Sequence, residues 1–134
     1  MRTVDSSVTV AAFATWHEHH EVAHAAVTGG PLLAAHVALE TYAVLTRLPP
    51  PHRVSGVAVR QFLDTNFPTP WLFLDGRRYQ SLVGELAASG VVGGAVYDAL
   101  VAATALDVDA TLVSADGRAR SVYEAIGTVV EMIV

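Results

Sequence analysis

The sequence contains no cysteine and no lysine. The absence of cysteine excludes thiolate catalysis, a zinc–cysteine site and any disulfide framework, and it fits a reducing compartment, so we expect a cytoplasmic protein. Because all eight basic residues are arginine, phosphate binding by a Walker-type lysine, Schiff-base formation and a lysine base are excluded as well. With 13 acidic residues the net charge is −5. This balance argues against broad, charge-driven binding to DNA. It still allows an enzyme that contacts RNA through a few arginines and a metal ion.

Long apolar runs are also missing, although 52 % of the residues are hydrophobic. The longest charge-free stretch, residues 22–39, is interrupted by Gly29-Gly30-Pro31, so we expect no membrane span. Residues 8–14 imitate an export signal, but this stretch is short and Asp5 precedes it. The apolar excess indicates either a dense core or a surface kept for a partner. We expect a homodimer, with residues 7–27 and 54–66 as the partner surfaces.

Short apolar runs alternate with helical patterns along the whole chain. We predict strands at residues 2–4, 32–33, 71–74, 111–113 and 129–134. We predict helices at residues 7–14, 17–27, 36–48, 54–66, 77–89, 94–107 and 118–126. Strands separated by helices indicate an α/β fold with a parallel sheet covered on both faces. No linker is apparent, so we expect a single domain, 1–134.

Two aspartates follow predicted strands directly or closely. Asp5 follows the first strand, and Asp116 comes after residues 111–113 with two small residues between. Ligands of open parallel α/β sheets collect at the carboxyl ends of the strands. Each aspartate taken alone is also a good helix N-cap.

Two further acids lie within predicted helices. Asp98 is the one charged residue of an otherwise apolar helix, and Glu40 shares a helix face with Val37 and Val44. An unpaired buried carboxylate costs several kcal/mol, so it neutralises, pairs or binds a cation. Asp98 could pair with an arginine and Glu40 could face solvent. Together with Asp5 and Asp116, however, the four acids indicate a site for Mg²⁺ or Mn²⁺.

Four segments resemble, in their order and spacing, the PIN-domain ribonucleases, and more closely the VapC-type toxins of toxin–antitoxin pairs. The segments are Val4-Asp5-Ser6-Ser7-Val8, residues 40–48 from Glu40, residues 97–105 around Asp98, and Leu112-Val113-Ser114-Ala115-Asp116. The resemblance implies a three-layer α/β/α fold with a central parallel sheet. It also implies metal-dependent endoribonuclease activity on RNA, a homodimer, and inhibition by a cognate VapB-type antitoxin.

The resemblance also implies roles for single residues. Asp5, Glu40, Asp98 and Asp116 would form the catalytic acidic cluster. Asp5 and Asp98 would be the firmest Mg²⁺ ligands, with Mn²⁺ as a possible substitute, and Asp116 would complete the shell directly or through water. Glu40 would orient the attacking water or help to hold a second metal ion.

Three polar residues accompany these acids. Ser7 and Ser114 match small hydroxyl positions beside the acids and would support them by hydrogen bonds, although plain capping is equally open. Arg118 follows the last acid and would contact a substrate phosphate, unless it is an ordinary surface arginine.

Two alternatives compete with this interpretation. His20-Glu21-Val22-Ala23-His24 spells H-E-x-x-H, the zinc-hydrolase pattern, with Glu40 at a suitable distance for a third ligand. Against zinc, Gly29-Gly30-Pro31 breaks the chain before Glu40, and polar neighbours indicate a solvated histidine face. The second alternative is a PIN-like binding module without catalysis.

Overall fold

A computed structural model describes residues 1–134 as a parallel four-stranded sheet surrounded by helices, with strand order β2-β1-β3-β4. The strands are β1 (Arg2–Val4), β2 (Leu32–Leu33), β3 (Thr111–Ser114) and β4 (Val130–Met132). The helices are α1 (Ser6–Phe13), α2 (His20–Thr28), α3 (Ala35–Thr46), α4 (Gly56–Asn66), α5 (Gly76–Ser89), α6 (Ala95–Asp107) and α7 (Arg120–Ile126). None of these helices combines the length and the apolar character that crossing a membrane requires.

The two central strands are buried on both faces. Thr3 and Val4 of β1 pair in register with Leu112 and Val113 of β3, and all four side chains are at most 2 % exposed. Successive side chains of a strand point to opposite faces, so helices must cover both sides of the sheet. The predicted three-layer α/β/α architecture is therefore confirmed. The in-register pairing also brings the carboxyl ends of β1 and β3 side by side.

Helices α1 and α3 are linked by a hydrogen bond near this edge of the sheet. Asp5 caps α1, since its carboxylate accepts a hydrogen bond from the Val8 amide at 3.3 Å. The buried hydroxyls of Thr9 and Thr41 are hydrogen-bonded at 2.6 Å. Because Thr41 follows Glu40 directly, this bond fixes the acid of α3 relative to the start of α1.

The predicted helix at residues 17–27 begins three residues later than expected. Residues 14–19 form turns, in which the His17 amide donates to the Ala14 carbonyl at 2.9 Å. The His19 amide donates to Nδ1 of His17 at 3.0 Å. These local bonds satisfy the backbone without a helix, so α2 starts at His20.

The predicted strand at residues 71–74 is reduced to a single bridge, in which Leu72 pairs with Ala34 beside β2. The Leu72 amide donates to Leu33 at 2.9 Å, but Phe73 is 74 % exposed and Pro70 has no amide hydrogen to extend the ladder. The expectation of a buried strand is therefore wrong.

Candidate active site

The carboxyl ends of β1 and β3 form the floor of an open cleft of about 450 Å³. Asp5, Asp98 and Asp116 lie on its walls together with Arg118 and Tyr123. Asp5 follows β1 directly and Asp116 follows β3 after one residue, while Asp98 comes from the first turn of α6. Residues that are far apart in the sequence thus meet at the edge where the topology places ligands.

Asp5 is the most completely hydrogen-bonded acid of the cleft, and it is only 3 % exposed. Its Oδ1 accepts bonds from the Ser7 hydroxyl at 2.5 Å and from the Val8 amide at 3.3 Å. Its Oδ2 accepts bonds from the hydroxyls of Ser114 at 2.5 Å and Tyr123 at 2.8 Å. Burial raises the pKa of Asp5 above its ordinary value, and these donors act in the opposite direction.

The two serines also hold the loop that carries Asp116. Ser7 accepts a bond from the Ala115 amide at 2.9 Å, and Ser114 accepts one from the Asp116 amide at 3.0 Å. Each hydroxyl therefore donates to Asp5 and accepts from the loop after β3. These bonds do more than cap a helix, and a supporting role of the two serines in catalysis stays a prediction.

Tyr123 of α7 belongs to this site, although no pattern in the sequence predicts it. Burial and the charge of Asp5 raise the pKa of its phenol well above the ordinary value, so the hydroxyl stays protonated and donates. No local pattern pairs it with Asp5, because the two residues are 118 positions apart.

Asp98 faces the other three acids. Its pKa is raised first by burial and then by the negative charges of Glu40, Asp116 and Asp5. The hydrogen bonds at this cleft go to Asp5, Asp116 and the two serines, and none goes to the Asp98 carboxylate. The negative charges of the other three acids therefore reach Asp98, whose own oxygens remain available to a cation.

Glu40 has a histidine partner on its own helix. His36 Nε2 lies 3.4 Å from a Glu40 carboxylate oxygen, and the His36 ring stacks on Tyr97 with centroids 5.5 Å apart. The positive form of His36 lowers the pKa of Asp98, which opposes the effect of the acids. The i,i+4 spacing of His36 and Glu40 could have predicted this pair.

The family model described as the PIN domain matches residues 3–125. The chain belongs to the PIN-domain family. A relative named Ribonuclease VapC40, from Mycobacterium tuberculosis strain ATCC 25618 / H37Rv, is 50 % identical over 129 residues, which cover 96 % of each chain. The protein of the same name in strain CDC 1551 / Oshkosh matches equally well. Ribonuclease VapC27 of strain H37Rv is 40 % identical over 117 residues, or 87 % of this chain and 78 % of that protein. The resemblance to VapC-type PIN ribonucleases is confirmed.

The acids of this PIN domain suit a hard, hydrated cation. No three histidine, aspartate or glutamate side chains lie close enough to ligate one ion together. Mg²⁺ does not need such a group, because it keeps several waters and binds through one or two carboxylates plus substrate phosphate. The unbonded carboxylate of Asp98 and the exposed side of Asp116 meet this requirement. Direct ligation by Asp5 would displace one of its four donors, and its ligand role stays a prediction.

The H-E-x-x-H motif lies outside the acidic cleft of the PIN domain. His20 and His24 border a separate hollow beside Phe13 and Phe62, and Nδ1 of His20 is 2.8 Å from the Ala11 carbonyl oxygen. Zinc sites need three or four protein ligands, and no third ligand reaches this pair. Glu40 is instead near Asp98. This geometry argues against the zinc alternative.

Arg118 lies at the cleft of the PIN domain, as expected for a phosphate contact. Its side chain is 98 % exposed, and its Nε is 3.9 Å from Asp116. Its amide donates to the same carboxylate at 2.9 Å, which starts the turn before α7 and explains why the helix begins at Arg120. A contact with phosphate remains a prediction.

Proposed function

We propose that this PIN domain is a Mg²⁺-dependent endoribonuclease toxin that hydrolyses phosphodiester bonds of RNA and is neutralised by a VapB-type antitoxin. The observation that carries the proposal is the Asp98 carboxylate, which has no hydrogen-bond donor and lines an open cleft together with Asp5 and Asp116, with the charge of Glu40 also acting on it. Such a cluster is costly without a cation, so its retention in the fold favours metal binding. Mn²⁺ would substitute, since it takes the same oxygen ligands.

The proposed roles follow from the position of each side chain. A bound divalent cation would neutralise the scissile phosphate and supply an activated water. Asp98 and Asp116 would hold the cation, directly or through water. The buried carboxylate of Asp5 would add negative charge beside them. Glu40 would orient the attacking water, with His36 Nε2 lying 3.4 Å from its carboxylate. Arg118 is free to swing onto a phosphate, because its side chain is almost fully exposed.

A second candidate, a PIN-fold module that binds without cleaving, is favoured by the four bonds that saturate Asp5. Incubation of purified, antitoxin-free protein with a mixed tRNA, rRNA and mRNA pool separates the two. We expect cleavage in Mg²⁺ or Mn²⁺ and none in EDTA or in Zn²⁺ alone. His20→Ala is the matched control and should cleave like the parent, because His20 lies outside the cleft. Loss of cleavage in His20→Ala with the fold intact, or no cleavage with any metal, would contradict the endoribonuclease proposal.

We also propose that residues 1–134 act as one domain and pair as a homodimer in the cytoplasm, where RNA substrates are found. The two apolar clusters of the chain share Ile126, which favours a single unit. Leu39 and Val57 are each 70 % exposed, and Tyr42 is 46 % exposed. Leu39 and Tyr42 border the same hollow, and the Tyr42 ring lies against Gly56, the residue before Val57. Exposed apolar side chains grouped in this way are typical of a protein–protein interface. Val57 belongs to α4, within the predicted partner surface at residues 54–66.

Sedimentation or light scattering should give about twice the 14.1 kDa chain mass at micromolar concentration. Leu39→Arg should shift the protein to a monomer, because it places a charge within the apolar patch. Val83→Arg is the control, since Val83 is equally open at 65 % exposure but lies on α5. A monomeric parent, or equal loss of dimer in both variants, would contradict this interface.

A further inference from the structure

The turn between α1 and α2 brings aromatic side chains to the rim of the acidic cleft. His17 and His19 line the cleft, and their ring centroids are 5.6 Å apart. Trp16 lies 6.0 Å from His17 on one side and 4.3 Å from His52 on the other. These four residues form a continuous surface, here called the aromatic strip, that leads outward from the site.

The aromatic strip is open to solvent. Trp16 is 51 % exposed and His52 is exposed, although a tryptophan normally buries most of its surface. The rings are supported by one another and by the local hydrogen bond from the His19 amide to His17. They therefore present ring surface beside the cleft without contributing to the core.

Unpaired positive charge lies next to the strip. Arg47 and Arg53 are exposed and have no acidic partner within 4.0 Å, unlike Arg60, Arg78 and Arg120. Arg53 follows His52 directly, and Arg47 is one helical turn beyond Val44, which lines the cleft. Arg53 Nε donates to the Leu48 carbonyl at 2.9 Å, which leaves its other N–H groups for a phosphate.

We propose that the aromatic strip binds unpaired bases of single-stranded RNA and guides the strand into the acidic cleft. This inference rests on the proposed function and specifies its substrate class. With a net charge of −5 the protein cannot hold a polyanion by electrostatics alone. Stacking does not depend on charge and contributes about 1–3 kcal/mol per base. Aromatic and histidine rings are the usual stacking partners of splayed RNA bases, whereas a duplex hides its base faces.

A protein partner fits the strip less well than RNA does. Three of its four side chains are imidazoles, and protein interfaces depend on contiguous apolar or aromatic anchors. Its continuity with the cleft, where the scissile phosphate would lie, also favours the nucleic acid. The apolar patch around Leu39 and Val57 is a separate surface and suits a protein partner better.

The chain contains two tryptophans, so the stacking can be observed directly. In Trp71→Phe/Asp98→Asn protein, Trp16 is the remaining fluorophore and RNA is not cleaved. A short oligoadenylate added in Mg²⁺ should quench its emission, and the same strand annealed to oligouridylate should not. Trp16→Ala/Asp98→Asn should bind labelled oligoadenylate about tenfold more weakly than Asp98→Asn, while Trp16→Phe should retain most of the affinity. Phe73→Ala is the matched control, since Phe73 is 74 % exposed and contacts neither the strip nor the cleft.

Unchanged Trp16 emission together with an equal Kd for Trp16→Ala would overturn the proposal that the strip binds RNA. A protein would then be the better candidate for its partner. Cleavage of the RNA pool by the parent protein is measured separately. Quenching without any cleavage would reject endoribonuclease activity and support RNA binding by the strip. Cleavage without quenching or loss of affinity would support endoribonuclease activity and reject RNA binding by the strip.

Discussion

Asp98→Asn should abolish RNA cleavage and at the same time raise the melting temperature of the metal-free protein. Cleavage should fall by about 10²–10³-fold or more, the range found when one preorganised electrostatic group is removed from an active site. The stability should change in the opposite direction, because the Asp98 carboxylate is partly buried among Glu40, Asp116 and Asp5 without a donor of its own. An asparagine keeps the shape and removes the repulsion.

The direction of the pH effect follows from the raised pKa of Asp98. Its ordinary value is 3.8, and the folded-state pKa is higher, so the folded protein binds this proton more tightly than the unfolded chain. The free energy of unfolding should therefore fall as pH rises from the ordinary carboxyl range through the folded-state pKa. Above the folded-state pKa the whole penalty is present, and there Asp98→Asn should melt at a higher temperature than the parent in EDTA.

Thermal unfolding with and without Mg²⁺ measures both effects. Mg²⁺ should raise the melting temperature of the parent and have little effect on Asp98→Asn, since ligand binding to the folded state is stabilising. Asp64→Asn is the control, because Asp64 belongs to an exposed ion pair with Arg60 that contributes little. A lower melting temperature for Asp98→Asn in EDTA, or cleavage that survives the substitution, would reject the role given to this residue.

Asp5→Ala should be the most destabilising change at the site, in contrast to Asp98→Asn. It removes the N-cap of α1, which costs about 1 kcal/mol, and leaves Ser114 and Tyr123 without their buried acceptor. Each orphaned buried group costs about 1–3 kcal/mol, so a loss of about 3 kcal/mol or more is expected in total. Urea unfolding of the purified protein gives this difference from the midpoint and slope.

Two conservative changes separate stability from chemistry at Asp5. Asp5→Asn keeps an oxygen for Ser7 and Val8, and the rotatable hydroxyls of Ser114 and Tyr123 can accept from its amide, so most stability should remain while cleavage is lost. Tyr123→Phe removes a single donor and should cost about 1–2 kcal/mol. Tyr97→Phe is its control, because that ring is exposed. Equal stability of Asp5→Ala and the parent would show that the bonds to Asp5 do not hold the strands together.

The positions of Asp5, Asp98 and Asp116 could be predicted from the sequence. Asp5 and Asp116 follow strands that pair in register, and parallel strands end at one edge. Asp98 was conspicuous because a charge within an apolar helix needs a partner. Both inferences use local patterns together with one general property of α/β sheets.

What could not be predicted depends on long-range contacts or on local turns. The bond from Tyr123 to Asp5 spans 118 positions and has no spacing rule. The aromatic strip was missed because residues 17–27 keep a helical pattern, whereas side-chain and backbone bonds of His17 and His19 hold residues 14–19 in turns. The apolar run at residues 71–74 predicts a strand, but it follows Pro70 at the border of the sheet and forms only a single bridge.

The bond between Ser114 and Asp5 joins residues 109 positions apart, and it has a consequence for synthesis. A ribosome that makes about 5–20 residues per second needs roughly 5–20 s to get from one to the other. Until then β1 lacks its central neighbour, Asp5 lacks two of its donors, and the acids of the cleft are scattered along an incomplete chain. If the protein has the proposed function, a growing or prematurely terminated polypeptide should not cleave RNA, and activity should begin only when β3 and α7 have emerged.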